Sequence, residues 1–243
     1  MRLIVTRPEP GATRTARALI RLGHAAILSP MLDVVCDPQA PIPERAFQAV
    51  VVTSSNAVRA LAARTDNAVA RGLPLFAVGD QTALEARRAG FAHARSAGSA
   101  LDGLIALLSG ELSAGGGPLL YAAGEAQAGD LAGEMRARGF EVETAIVYRT
   151  EPREQLAGVA GDALKAGSVD GVLLYSRRSA ETFARALATA DLAPLSGQVT
   201  LFCLSEAVAE PLSGVTAGKV VIAEKPNQIS LFALIESEAD AVP

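Results

Sequence analysis

Thr53, Ser54, Ser55 and Asn56 stand in a row directly after the β-branched run Val50 to Val52 and directly before a helical pattern with apolar residues at Ala57, Val58, Ala60 and Leu61. Small hydroxyl and amide side chains at such a junction can cap the helix and leave its first N–H groups open to an anion, which the helix end favours. A carboxylate or phosphate is the expected guest. The junction recurs where Val172-Leu-Leu-Tyr175 runs into Ser176 and Ser179, ahead of Phe183 and Leu187.

Other candidates fall at comparable places. Thr6 and Arg7 follow Leu3 to Val5, Gly79 and Thr82 follow Leu75 to Val78, Gly124 closes the stretch from Leu119, and Ser205 follows Leu201 to Leu204. Ligands of open α/β sheets bind outside the carboxyl ends of the strands. Two such edges facing each other would line a cleft with N–H and hydroxyl donors, suited to a large polyanion.

The elements that must position these residues follow from periodicity. A strand made of Val has no polar face and belongs in a parallel sheet covered on both sides. A helix is expected over Thr13 to Leu22, with Ala16, Leu19 and Ile20 buried and Gly23 as its stop, and another over Glu154 to Ala166. Leu75 to Ala83 is answered by Leu201 to Ala209, and Leu3 to Pro8 by Leu119 to Glu125, so the chain reads as two copies of one plan. Strands alternating with helices give the α/β class.

Two extended stretches, Met31 to Cys36 and Ala145 to Thr150, are natural partners for a two-stranded bridge. Their pairing gives two doubly wound parallel-sheet lobes joined by a two-stranded hinge, the first lobe discontinuous. Residues 1–32 and 152–243 then form the first lobe, residues 38–146 the second, and residues 33–37 and 147–151 the linkers.

Composition bounds the chemistry. Half of the 243 residues are hydrophobic and 20% are charged, which fits a globular chain. The net charge of -4 argues against broad nucleic-acid binding. Apart from Lys165, Lys219 and Lys225, the 22 basic residues are all Arg, the cation that pairs bidentately with carboxylates, although a GC-rich genome that favours Arg and Ala codons is the better account of the bias.

Cys36 and Cys203 read as core thiols, and His24 and His93 as surface or turn residues, with no spacing for a metal site. Gly79-Asp-Gln-Thr82 lacks the dinucleotide fingerprint, and there is no Lys-bearing phosphate loop. Met1 to Val5 reads as a strand rather than a signal peptide, and no apolar stretch reaches the roughly 20 residues of a membrane span. A cytoplasmic protein without membrane or nucleic-acid partners is expected.

The ordered set Val5-Thr-Arg-Pro8, Val52-Thr-Ser-Ser-Asn-Ala-Val58, Ala77-Val-Gly79 with Thr82-Ala83, Val147-Tyr148, Tyr175-Ser176 with Ser179-Ala180, and Leu204-Ser205 resembles the uroporphyrinogen-III synthase family across nearly the whole chain. The resemblance implies two α/β lobes joined by a two-stranded ladder. It also implies cyclisation of hydroxymethylbilane, a tetrapyrrole with an acetate and a propionate on each ring, with inversion of the last ring and loss of water. No metal or organic cofactor is expected, and a monomer in transient contact with the preceding pathway enzyme is.

Tyr148 matches the family's tyrosine at the lobe junction, which implies a role in hydroxyl loss; a hinge tyrosine packed between lobes is the alternative. Thr6, Arg7, Thr53, Ser54, Ser55, Asn56, Gly79, Thr82, Gly124, Ser176, Ser179 and Ser205 are the expected substrate contacts, each alone also readable as an ordinary cap. The turn Ser205-Glu-Ala-Val208 departs from the family pattern, and Glu206 would repel a carboxylate. Two rivals are a non-catalytic two-lobed protein closing on an anionic small molecule, and a transferase whose donor would need Asp80 or Glu125.

Overall fold

The computed structural model describes residues 1–65, 69, 71–98, 100–127, 129–192, 195 and 197–240. In chain order the elements are β1 (Arg2–Val5), α1 (Gly11–Arg21), β2 (Ala25–Leu28), β3 (Leu32–Cys36), β4 (Ala49–Val52), α2 (Ser55–Ala62), β5 (Leu75–Ala77), α3 (Asp80–Arg88), β6 (Ala94–Ser96), α4 (Leu101–Glu111), β7 (Leu119–Gly124), α5 (Leu131–Ala137), β8 (Val142–Pro152), α6 (Gly158–Lys165), β9 (Gly171–Leu174), α7 (Arg177–Thr189), β10 (Thr200–Cys203), α8 (Glu206–Ala209), β11 (Lys219–Ile222) and α9 (Gln228–Asp240). They divide into two compact units, one of Met1–Asp33 with Glu151–Pro243 and one of Val34–Thr150.

The discontinuous unit carries a five-stranded sheet in the order β11-β10-β9-β1-β2, with parallel neighbours throughout. Alternate residues of each strand face opposite sides. Ile4, Val172, Leu174, Leu201 and Cys203 therefore pack with Phe183 and Leu187 of α7 on one side. Leu3, Val5, Leu173 and Phe202 pack with Leu19 of α1 and Leu231 and Ile235 of α9 on the other.

The continuous unit carries a six-stranded sheet in the order β3-β8-β7-β4-β5-β6, parallel from β8 to β6. Val50 and Val52 face α2 and α3, whereas Ala49 and Val51 face Leu104 and Leu108 of α4 and Met135 of α5. Both sheets are thus covered on both faces, the doubly wound arrangement that four fully buried residues of β4 require. No helix among the described residues is long and apolar enough to cross a membrane.

Four readings of the sequence need correction. Ile20 is 60% exposed, because the buried face of α1 runs through Ala12, Thr15, Ala16 and Leu19 and leaves position 20 at its margin. The helix expected from Glu154 begins at Gly158, since Arg153 N–H donates to Met31 O at 3.0 Å and Ala157 N–H to Ser29 Oγ at 3.0 Å, which holds the intervening chain out of helix. His24 is buried rather than at the surface, bonded to Glu236 at 2.7 Å and to the Met1 amine at 3.3 Å, because α9 closes over it. Cys203 is a core thiol, whereas Cys36 is only partly buried at β3, the sheet edge.

Candidate functional site

In each sheet the strand order reverses once. The chain runs β1 to β2 on one side and β9 to β11 on the other, and likewise β4 to β6 and then β7 to β8. The crevices beside β1/β9 and β4/β7 are therefore the places where an open α/β sheet accepts a ligand. Most of the candidate residues lie at or next to these two reversals.

At the β4/β7 edge, Thr53 Oγ1 lies 3.4 Å from Tyr121 Oη. Ser54 caps α2, its Oγ accepting Asn56 N–H at 3.1 Å. Ser55 Oγ donates to Thr82 Oγ1 at 3.4 Å, which joins the turn after β4 to α3. Asn56 accepts from Arg59 through its side-chain oxygen. Gly79 has φ +83, which only glycine adopts without strain, and its N–H is taken by Gly98 O.

Tyr148 reaches this edge through an irregularity in β8. Ala123 pairs with Ile146 but Gly124 with Tyr148, so Val147 is an extra residue in the ladder, and its carbonyl accepts Asp37 N–H at 2.8 Å. A bulge re-aims the side chain that follows it. Val147 and Tyr148 consequently both pack toward the α2/α3 face, where strict alternation would have sent them to opposite sides. The phenol of Tyr148 lies over Gly124: a Cβ there would run into Cζ and stand 2.7 Å from Oη. Gly124, expected as a ligand contact, lies directly beneath the Tyr148 ring.

Tyr121 was not among the residues singled out from sequence. It is 2% exposed, and burial raises its pKa, opposed by the Thr53 hydrogen bond and reinforced by the neighbouring Tyr148. The available signal was a hydroxyl inside the otherwise apolar run from Leu119, since a buried phenol needs a partner.

At the β1/β9 edge, Thr6 is wholly buried and its hydroxyl donates to Leu173 O at 2.7 Å, which ties β1 to β9. Ser176 caps α7: its Oγ accepts Ser179 N–H at 3.2 Å and donates to Ser179 Oγ at 2.9 Å. Ser205 precedes the short α8 and makes no side-chain cap bond. Arg7 lies with its guanidinium 4.5 Å from the centre of the Tyr175 ring. Burial lowers its pKa, with the Tyr175 hydroxyl acting against that and Arg14 adding to it.

The structure therefore brings Thr53 to Tyr121, Ser55 to Thr82, Tyr148 to Gly124, and Ser176 to Ser179. Thr6 stands apart as a strand tie, and Gly79 as a turn. What remains is an edge in one unit where hydroxyls meet one another and Arg59 is bonded to Asn56, and an edge in the other where a cation lies on an aromatic ring. Among the described residues no group of His, Cys, Asp and Glu could hold a metal ion.

A family model described as uroporphyrinogen-III synthase HemD matches residues 13–233. Among solved structures, the uroporphyrinogen-III synthetase of Helicobacter pylori 26695 superposes with a TM-score of 0.62 at 19% identity, over 98% of this chain and 100% of that one. A mutant uroporphyrinogen III synthase of the extremely thermophilic bacterium Thermus thermophilus gives 0.51 at 18% identity, over 99% of each chain. At these identities the two structures speak for the fold. No curated protein matches.

Proposed function

The chain belongs to the uroporphyrinogen-III synthase family, and we propose that in its reaction, a hydro-lyase cyclisation, Tyr148 assists hydroxyl loss while the small donors of both sheet edges hold substrate carboxylates. The family match over residues 13–233 is the observation that carries the reaction. Hydroxymethylbilane loses its terminal hydroxyl and closes to uroporphyrinogen III with the last ring inverted.

The C–O bond breaks with its electron pair on oxygen, and the pyrrole nitrogen stabilises the resulting azafulvene cation. A phenol is neutral at pH 7 and can donate a hydrogen bond to the departing oxygen. The oxygen leaves as water, and the proton that this requires is balanced by the one a ring carbon loses after closure. Because the pyrrole itself drives ionisation, the larger task is to fold the chain so that attack passes through a spiro intermediate. The β8 bulge and the bare surface of Gly124 support Tyr148 in this role, since together they fix its phenol at the reversal point of the sheet.

We place the carboxylates on Thr53, Ser54, Ser55, Asn56 and Thr82 of one unit and on Arg7, Ser176, Ser179 and Ser205 of the other. Contacts of the caps to a carboxylate run partly through backbone N–H groups, each worth roughly 0.3–1 kcal/mol when exposed. The proposal includes a cytoplasmic monomer that receives its unstable substrate by transient contact with the preceding pathway enzyme; sedimentation of the pure protein as a dimer would remove the first of these.

The deciding experiment supplies hydroxymethylbilane generated in situ, oxidises the products and separates the uroporphyrin isomers. Isomer III in excess is expected. Isomer I alone, at the uncatalysed rate, would refute the reaction and leave an anion-binding protein.

A further inference from the structure

Arg7 is held by uncharged groups. Its Nη1 donates to Gln228 Oε1 at 3.1 Å and to Thr15 Oγ1 at 3.4 Å, and its flat face lies on the Tyr175 ring at 4.5 Å. Gly11, the first residue of α1, makes room for it: a Cβ there would stand 2.6 Å from Nε and 3.2 Å from Nη2. Among the described residues no carboxylate contacts this guanidinium. Arg45, Arg138, Arg153 and Arg177, in contrast, each pair with one, at distances from 2.5 to 2.7 Å.

Taking a guanidinium partly out of water without a counter-ion costs free energy that packing alone recovers poorly. Such a cation is expected where the counter-ion arrives with a ligand. Its place agrees, because Arg7 follows β1 and Tyr175 follows β9, the two strands between which the order of this sheet reverses. Tyr175 offers the guanidinium the face of its ring, a contact that attracts a cation.

We infer that Arg7 is a preorganised carboxylate subsite of the discontinuous unit, and that Tyr175 and Gln228 are positioning residues that keep its guanidinium flat and aimed before substrate arrives. The inference rests on the reading of the substrate as a polycarboxylate tetrapyrrole. Gln228 on α9 restrains rotation through one acceptor, Gly11 admits the planar group, and Tyr175 supplies a face that attracts a cation without neutralising it.

The test measures KM and kcat for hydroxymethylbilane, and the affinity of the full chain for uroporphyrin III by quenching of porphyrin fluorescence. Loss of a charge-assisted contact predicts that Arg7→Gln raises KM and weakens porphyrin binding by about tenfold to a hundredfold, with most of the effect in KM rather than kcat. Arg7→Lys, which keeps the charge but not the planar fork, falls in between. Tyr175→Leu weakens binding by about threefold to tenfold, Tyr175→Phe recovers most of that loss, and Gln228→Leu loses a few-fold.

Unchanged binding in Arg7→Gln, or equal losses in Tyr175→Phe and Tyr175→Leu, overturns the inference. The two readings fail separately. Formation of isomer III with the same KM in wild type and Arg7→Gln removes the subsite and leaves the reaction. Isomer I alone, with porphyrin binding that still depends on Arg7, removes the reaction and leaves the subsite.

Discussion

The two sheet edges share a plan and differ in what they present. Beside β4 and β7 Thr53 meets Tyr121 and Tyr148 lies over Gly124, both neutral pairs, while the nearby cation, Arg59, is bonded to Asn56 and stands 3.8 Å from Glu85. Beside β1 and β9 the hydroxyls of Thr6 and Ser176 are occupied by the fold, and the feature that stands out is a cation lying on an aromatic ring. Proton donation to a leaving hydroxyl needs a group that is neutral yet acidic enough to donate, which a phenol provides. A carboxylate can rest on neutral N–H and hydroxyl donors, and a guanidinium adds permanent charge and a planar fork to that grip. One plan can thus serve two tasks through a few side chains at the same topological position.

Changes on the β4/β7 edge should give the largest effects. Tyr148→Phe is expected to lower kcat by about a hundredfold or more while shifting the melting temperature little. Equal loss of activity and stability would reduce Tyr148 to a packing residue. Gly124→Ala should approach the same loss, about a hundredfold, because its methyl displaces the phenol. The ring tip can swing away, so thermal stability should hold, and adding Tyr148→Phe should cost little more. Additive losses in the double variant would separate the two residues.

The two thiols extend the contrast to the cores. Burial pushes the Cys203 thiol up to about 12 from an ordinary 9.0. A raised value in the folded state means that its contribution is intact below about pH 9 and is lost as the unfolded thiol ionises while the buried one does not. Stability to urea should therefore fall by on the order of 2 kcal/mol by about pH 11, with a shallower fall in Cys203→Ala. Iodoacetamide should modify partly buried Cys36 in the native protein and reach Cys203 only after unfolding; equal native labelling would contradict the packing.

The smallest effects concern the caps. Ser54→Ala removes one bond to Asn56 N–H and should cost about 1 kcal/mol. Ser176→Ala also strips a partner from Ser179 Oγ, whose residue is fully buried, and should cost about 2 kcal/mol. Equal midpoint shifts in denaturant would show the two caps to be equivalent after all.

Much of this was legible in residue order. The all-Val β4, the alternation of strands with helices, and the placing of hydroxyl residues after strands are local patterns, and local patterns survive being read one residue at a time. Ile20 misled because an apolar residue at the margin of the buried stripe looks like part of it. His24 misled because the residue that buries it, Glu236 on α9, lies at the far end of the chain. The start of α6 was missed because Met31 and Ser29, more than a hundred residues earlier, hold the preceding segment.

Sequence by itself determined that the chain forms α/β units with covered parallel sheets, where their carboxyl edges lie, and which family supplies the reaction. The partnerships at those edges needed the tertiary structure. Nothing in the run from Val142 announces that Val147 is an extra residue, yet that bulge turns Tyr148 onto Gly124, 24 positions away. Nothing near Arg7 announces that Tyr175 will lie beneath it. Hydrophobic period and capping are set by neighbours along the chain, whereas the aim of a single functional side chain is set by strands that meet only when the sheet closes.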